Sequence, residues 1–314
     1  MKAVRFHEYG GPDVLRYEDV DRPVPGTGQA RVRVAATTFN GVDGNIRAGF
    51  MQDPMPLTLP HVPGLDVAGT IDALGDGVGG LEIGDRVVGF LPFVDDGASA
   101  EYVLAPAESL APAPAGIPLA DAAALPLVGL TAWQALFDHA ELKPGQRILI
   151  SGAGGAVGGY AVQLAKAAGA YVIATGSPRS IEHVKAAGAD EVVDHTTTEV
   201  TTEVTDPVDV LLNLAPIDPA EFTALAGLVR DGGVVVSTTV WMPAPADQER
   251  GVRAIDIYVR SDAEQLSELV ARVDRGELTV EVTERVPLAD LASVHARAAA
   301  GTLSGKVIVL PPTA

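Results

Sequence analysis

The chain of 314 residues contains no cysteine. That absence excludes a disulfide framework, cysteine-ligated zinc, iron–sulfur clusters and a thiol nucleophile. Basic residues are also few: 22 Lys and Arg stand against 41 Asp and Glu, a formal net charge of −19. Nucleic acid and anionic membrane surfaces need a net basic stripe, so neither partner is expected and the charge is read as solubility. No G-x-S-x-G is present, so a serine nucleophile elbow has no support. Long apolar runs are missing too. The longest, residues 122–137, is interrupted by Pro126, Gly129 and Gln134 and is too short to span a bilayer. The opening MKAVRFHEYG carries Lys2, Arg5, His7 and Glu8 with no apolar stretch behind them, unlike a secretory signal. A soluble, cytoplasmic protein is expected.

What is present is a 47% hydrophobic chain with 34 glycines and 23 prolines, long enough for two domains. Its first ~110 residues read as short strands, at 30–35 (ARVRVA), 67–71, 86–91 and 101–104, punctuated by Gly, Pro and Asp clusters; such a pattern predicts an irregular barrel. From about Pro118 the texture changes. Helical stretches at 119–124 and 131–140 lead to a strand at 147–151, a helix ending near Gly169, and a strand at 171–175. A helix at 181–187 and strands at 191–193, 208–213 and 233–238 continue the alternation, which predicts parallel strands with crossover helices. Residues 198–204 (TEVTTEV) read as a local polar segment. After Arg260 come a helix at 263–275, the segment 278–286, a short helix at 288–299 and a strand at 306–310, without the α/β rhythm.

The strongest motif is RILISGAGGAVGGYAVQLAKAAGA. An apolar strand runs into Gly152, Gly155 and Gly158, and a helix opens with Ala156 and Val157. Glycines there let backbone approach a pyrophosphate, and the helix N-terminus offers it unpaired N–H groups and a positive dipole end. Ala161, Leu164 and Ala168 recur at helical spacing, with Gly169 at the expected C-terminal cap. A dinucleotide site for NAD usually has Asp or Glu at the end of the second strand, for the ribose 2′-hydroxyl. This chain reads Gly176-Ser177-Pro178-Arg179-Ser180, with no acid before Glu182. Ser177, Arg179 and Ser180 suit a 2′-phosphate, so NADPH is the expected cofactor, although Arg179 could be an ordinary surface charge. Asn213 and Thr238 end later strands, where ligands of open α/β sheets bind.

Several further segments occur in a telling order: Glu8-Tyr9-Gly10-Gly11-Pro12, Asn40-Gly41-Val42-Asp43 with Ile46-Arg47-Ala48-Gly49, and Pro63 to Gly69 (PGLDVAG) with Gly84-Asp85-Arg86-Val87. Ala100-Glu101-Tyr102, Gly129-Leu130-Thr131-Ala132, the glycine loop and Gly305-Lys306-Val307 follow. In these the chain resembles the medium-chain dehydrogenase/reductase superfamily, and within it the zinc-free, zeta-crystallin-like quinone oxidoreductases. The resemblance implies an α/β architecture: a GroES-like β-barrel catalytic domain plus a Rossmann doubly wound parallel-sheet domain. On that basis residues 1–121 and 262–314 form the discontinuous catalytic domain, and 122–261 the inserted NADP(H)-binding domain. It also implies that nicotinamide and substrate meet between the domains, and a homodimer paired through a Rossmann sheet edge, for which the alternating segment 252–259 is a candidate.

Zinc-dependent relatives carry Cys near Val42 or Asp43 and His in the segment matching Gly64-Leu65-Asp66. Leu65 occupies the His position, and the six histidines show no paired spacing, so no metal is expected. Without a Lewis acid, hydride donation to a conjugated acceptor is favoured over alcohol oxidation. The resemblance puts Asn40 and Thr131 near nicotinamide and substrate. Asn40 could donate to a carbonyl oxygen and Thr131 orient the ring or its ribose; the plainer alternatives are a loop amide bonding its own backbone and a helix N-cap. Asp43 matches a family position and reads as a structural carboxylate on backbone amides in preference to a proton donor. Asn45 and Met51 stand where related quinone reductases often have aromatic residues. Together with Phe50, Phe93, Trp241 and Met242 they are the candidates to line the substrate pocket, though any one aromatic could be ordinary core. Residues 301–306 (GTLSGK) are one short of a nucleotide-loop spacing, and that reading is rejected. The expected activity is NADPH-dependent hydride transfer to a small-molecule quinone or α,β-unsaturated carbonyl. The alternative is a catalytically weak NADPH-binding structural or redox-sensor protein.

Overall fold

The computed structural model describes residues 1–53, 55–239 and 241–312. Along the chain run β1 (Lys2–Phe6), β2 (Leu15–Asp19), β3 (Gln29–Thr38), α1 (Gly41–Ala48), β4 (Asp66–Leu74), β5 (Arg86–Phe90), β6 (Tyr102–Pro106) and β7 (Leu110–Pro112). Then come α2 (Pro126–Trp133), β8 (Arg147–Ser151), α3 (Ala156–Ala167), β9 (Tyr171–Gly176), α4 (Ile181–Ala186), β10 (Glu191–Asp194) and α5 (Val200–Glu203). The remainder is β11 (Val208–Asn213), α6 (Pro219–Ala226), β12 (Val229–Ser237), β13 (Arg253–Asp256), α7 (Ala263–Asp274), β14 (Glu284–Pro287), α8 (Leu291–Ala299) and β15 (Val307–Leu310). The chain divides into two compact units, residues 1–127 with 261–314, and residues 128–260. The turn Asp121–Ala124, just past the expected boundary, packs against β3 and β4 within the first unit.

The first unit is built on a seven-stranded sheet in the order β14-β15-β3-β4-β5-β7, with β6 also paired to β3. Alternation along β3 sends Ala30, Val32 and Val34 into a core with Val67, Ile71, Val87, Leu91, Val103 and Leu110; this one-sided pattern is what an antiparallel sheet with a single buried face requires. The C-terminal segment belongs to the same unit. β15 pairs antiparallel with β3, placing Ile308 opposite Thr38 and Val309 opposite Thr37. Helix α7 buries Leu266, Leu269, Val270 and Val273 at helical spacing and is capped by Asp262, whose carboxylate accepts from the Glu264 and Gln265 amides at 3.1 and 3.0 Å.

The second unit holds six parallel strands in the order β10-β9-β8-β11-β12-β13. This is the doubly wound arrangement, with its strand order reversing between β8 and β11, the switch point at whose carboxyl ends ligands of such sheets bind. Helix α3 follows β8 and ends before Gly169, whose φ of 80° terminates it in the left-handed region. Its buried stripe is Tyr160, Ala161, Leu164 and Ala165, whereas Ala168, expected in that stripe, is half-buried at the end of the helix.

Two local expectations are corrected, at 198–204 and at 252–259. Pro126 marks a break in the apolar stretch: the turn Asp121–Ala124 ends before it and α2 starts with it, where its missing N–H costs nothing. Residues 198–204 are not simply polar, since they form α5 and bury Val200 and Val204. At the end of the segment 278–286, β14 begins at Glu284, where pairing with β15 starts opposite Val307. The segment 252–259 is a strand only over 253–256, where it pairs with the end of β12; Tyr258 is exposed.

Candidate functional site

Within the second unit, the predicted nucleotide residues gather at the carboxyl ends of the strands. Gly152 follows β8 with a φ of 82°, and a Cβ there would meet the Ala215 Cβ at 2.8 Å and its amide nitrogen at 3.1 Å. Only glycine lets the turn after β8 lie this close to the loop after β11. The Gly152 N–H is not free for a ligand, because it donates to Thr175 Oγ1 at 2.9 Å, so the end of β9 holds the turn in place. Gly155 is the N-cap of α3, and the amides of Ala156, Val157 and Gly158 fall in its first turn, ahead of any intrahelical carbonyl. A Cβ at Gly158 would collide with the backbone of Ala153, which explains the third glycine as one of close helix–turn packing.

At the end of β9 the Ser177 amide donates to Ser180 Oγ at 3.0 Å, and the Ser180 amide returns to the Ser177 carbonyl at 2.8 Å. The closed turn exposes Arg179, and Ser180 fills the space beside Gly154, where a Cβ would overlap its hydroxyl. Asn213 lies between Ser151 and Ser237 in the register of three adjacent strands and is fully buried. Its Nδ2 reaches Thr239 Oγ1 only at 3.4 Å and its Oδ1 has no partner. Thr238 donates its backbone N–H to the Asn213 carbonyl at 3.1 Å. A buried, unpartnered amide oxygen calls for a donor, and with the glycine cradle and free helix amides it fits a dinucleotide at the switch point.

Within the first unit, Asn40 sits as N-cap of α1, in a buried polar network. The Lys306 ammonium donates to Asn40 Oδ1 at 2.6 Å and stands 3.2 Å from Asp66 Oδ2. Asn40 Nδ2 donates to the same carboxylate oxygen at 2.9 Å and approaches Thr38 Oγ1 at 3.3 Å; the Thr38 hydroxyl donates to Asp66 as well. The other Asp66 oxygen accepts the Leu127 amide at 2.7 Å. Asp43 accepts the amides of Asn40 at 2.7 Å and Gly64 at 3.2 Å, the structural role read from the sequence. Burial, reinforced by the nearby Asp66 charge and opposed by those amides and Lys306, pushes the Asp43 carboxyl up to about 7.

Thr131 is buried near the end of α2 in the second unit, so it is not the N-cap that the plainer reading expected. Asn45, Phe50 and Met51 cluster at the C-terminal turn of α1, where the Phe50 amide donates to the Asn45 carbonyl at 3.0 Å. Met51 is buried, but Phe50 is 66% exposed. Phe93 packs edge-on to Phe90 after β5, and Trp241, in the second unit, is 68% exposed with a φ of 72°. Met242, in the same unit, packs against the core of that sheet. Sequence reasoning missed the roles of Thr175, Asp66 and Lys306. The last two stand in quoted motifs, but nothing local joins positions 240 residues apart.

Leu65, at the place of a zinc-ligating histidine, is buried, and among the described residues no three His, Cys, Asp or Glu side chains could hold a metal ion. The residues present do not fit a catalytic zinc. No helix among the described residues is long and apolar enough to cross a membrane.

Comparison with known proteins agrees with this architecture. Residues 26–115 match the alcohol dehydrogenase GroES-like domain family and residues 187–309 the zinc-binding dehydrogenase family. The chain is 33% identical to a chloroplast envelope quinone oxidoreductase homolog of Arabidopsis thaliana, over 99% of its length and 98% of the relative's. The solved quinone oxidoreductase of Coxiella burnetii superposes with a TM-score of 0.90 at 28% identity, covering 99% of both chains. A mycobacterial protein solved in complex with NADPH superposes with a TM-score of 0.84 at 30% identity, covering 99% of this chain and 100% of that one. With its GroES-like and Rossmann units and an end-to-end likeness to such enzymes, the chain belongs to the quinone oxidoreductases of the medium-chain dehydrogenase/reductase superfamily, a family of pyridine-nucleotide-dependent oxidoreductases.

Proposed function

We propose that the chain is an NADPH-dependent, zinc-independent reductase whose acceptor is a quinone or an α,β-unsaturated carbonyl. The observation that supports the cofactor is the turn at the switch point, where α3 opens at Gly155 with its first-turn amides and the Ser177–Ser180 turn presents Arg179 in place of an acid. Ala156 and Val157 offer first-turn amides, and the open Asn213 Oδ1 and the Thr238 segment complete the set. A carboxylate at the turn would repel a 2′-phosphate, whereas a guanidinium and hydroxyls attract it. The mycobacterial relative solved with NADPH supports the same choice.

When bound, a reduced nicotinamide supplies the hydride that the acceptor carbon takes up. The chain's own contribution is positioning and charge stabilisation. Asn40 is the proposed donor to the acceptor's carbonyl oxygen. Its Oδ1 is taken by Lys306 and one Nδ2–H by Asp66, so the group it can offer is the second Nδ2–H, whose partner in the fold is Thr38 Oγ1 at 3.3 Å. Thr131 holds the ring or ribose. The proton that balances the reduction comes from solvent or a hydroxyl. Leu65 and the missing ligand set favour a reaction without a Lewis acid. Asn45, Phe50, Met51, Phe93 and Trp241 remain the proposed pocket residues. The enzyme is proposed to act as a homodimer through the outer strand β13.

NADPH oxidation measured with benzoquinones, naphthoquinones and 2-alkenals tests this reading. Turnover with at least one class is expected. Silence with all of them, with NADPH bound, would refute it.

A further inference from the structure

Lys306 ends a run that falls one residue short of a phosphate loop. In the fold it serves another purpose. Its ammonium is buried beside β3, 4% exposed, with Asp66 on one side and the Asn40 side-chain oxygen on the other. The Asn40 amide is thus gripped at both ends, its oxygen by a group that can only donate and its nitrogen by one that can only accept. We propose that Lys306 and Asp66 are positioning residues that lock Asn40 in the one orientation in which its second Nδ2–H, held only by a 3.3 Å contact to Thr38 Oγ1, can turn to an acceptor's carbonyl oxygen. The proposal rests on the reading of Asn40 as that donor.

The physical argument turns on the near-symmetry of an amide. Rotated by half a turn, Asn40 would set its NH₂ against the ammonium and its oxygen against the carboxylate. Two charge-assisted hydrogen bonds would be replaced by two repulsive contacts, in a region closed to water. A carbonyl donor must be in place before charge develops, because reorienting it during the reaction forfeits part of its benefit. Lys306 also draws electron density from Oδ1, which polarises the Nδ2–H bonds. Thr38 adds a hydroxyl to the same carboxylate oxygen, helping to fix the face that Asp66 presents.

A double-mutant cycle on the full-length enzyme tests this. Asn40→Ala is expected to lower kcat by about a hundredfold, the scale of losing one carbonyl donor. Lys306→Met should lower kcat by about tenfold or more, with NADPH affinity unchanged, and should have no further effect when combined with Asn40→Ala. Removing Lys306 alone leaves a buried carboxylate without its counter-charge, so Lys306→Met combined with Asp66→Asn supplies a neutral variant free of that penalty. That variant is expected to show the same kcat loss and the same silence once Asn40→Ala is added to it. Full activity in the neutral variant, or an equal loss with and without Asn40, would overturn the positioning role. No effect of Asn40→Ala would instead overturn the donor reading on which it stands.

Discussion

The hydroxyl of Thr175, at the end of β9, accepts the Gly152 N–H at 2.9 Å. Through this bond the second parallel strand holds the glycine turn of the first. Replacing Thr175 with Val keeps the shape and removes the acceptor. Losing one such bond is worth about 0.5–1.5 kcal/mol, so NADPH affinity should fall about three- to tenfold in a fluorescence titration. An unchanged dissociation constant would mean that the turn holds itself.

Arg179 is exposed on the Ser177–Ser180 turn, where an acid would mark an NAD site. Arg179→Ala should raise the Michaelis constant for NADPH by about tenfold and leave that for NADH nearly unchanged. Steady-state kinetics with both nucleotides decides this, and equal effects would remove the 2′-phosphate contact.

Gly158 and Gly155 should differ on mutation to Ala. At Gly158 the new methyl would collide with the Ala153 backbone, which cannot move aside without shifting the turn. At Gly155 its nearest neighbour would be the Gly152 carbonyl at 3.5 Å, an ordinary contact. Gly158→Ala is expected to destabilise by about 1–3 kcal/mol, and Gly155→Ala by less than about 1 kcal/mol, the cost of a poorer N-cap. Chemical denaturation would reveal the order, and a reversed order would contradict the packing argument.

His295, in α8, is buried against the ring of Phe39. Burial, aided by the nearby Arg47 charge, depresses its imidazole from 6.5 to about 3. Between those values the unfolded chain holds a proton that the native chain refuses, so stability falls as pH drops through that window. Asp43 acts in the opposite sense, its raised carboxyl favouring the fold at low pH and losing that advantage as pH rises from about 3.8 to about 7. His295→Leu removes only the first effect. The melting temperature of the wild type should therefore drop more steeply than that of the variant between pH 6.5 and about pH 4. Parallel curves would show that the imidazole is not shielded.

The strand–glycine–helix unit and the turn after β9 were legible because their signals are local. A strand, three glycines and a helix lie within one stretch, and the missing acid at the end of β9 is a short-range feature. Thr175 escaped notice because its partner is in another strand, and strand order is set by packing. Asn40 was visible as a motif residue, but its grip by Lys306 and Asp66 exists only once β15 pairs with β3 and β4 lies alongside. Exposure was the least legible property. Phe50 and Trp241 carry the same apolar signal as Phe6 or Phe90, which are buried, because burial depends on what distant elements bring over the ring. The β segment expected at 252–259 shortens to 253–256 for the same reason: β-propensity extends a strand only where a partner edge continues.

The central claim, zinc-free reduction by NADPH, meets its most direct test in one rate measurement. Enzyme shown by elemental analysis to hold less than stoichiometric zinc is assayed for NADPH oxidation with a naphthoquinone, before and after exhaustive chelation. The expected result is turnover that chelation leaves unchanged and that NADH supports far less well. Loss of turnover on chelation, with recovery on adding zinc, would contradict the account.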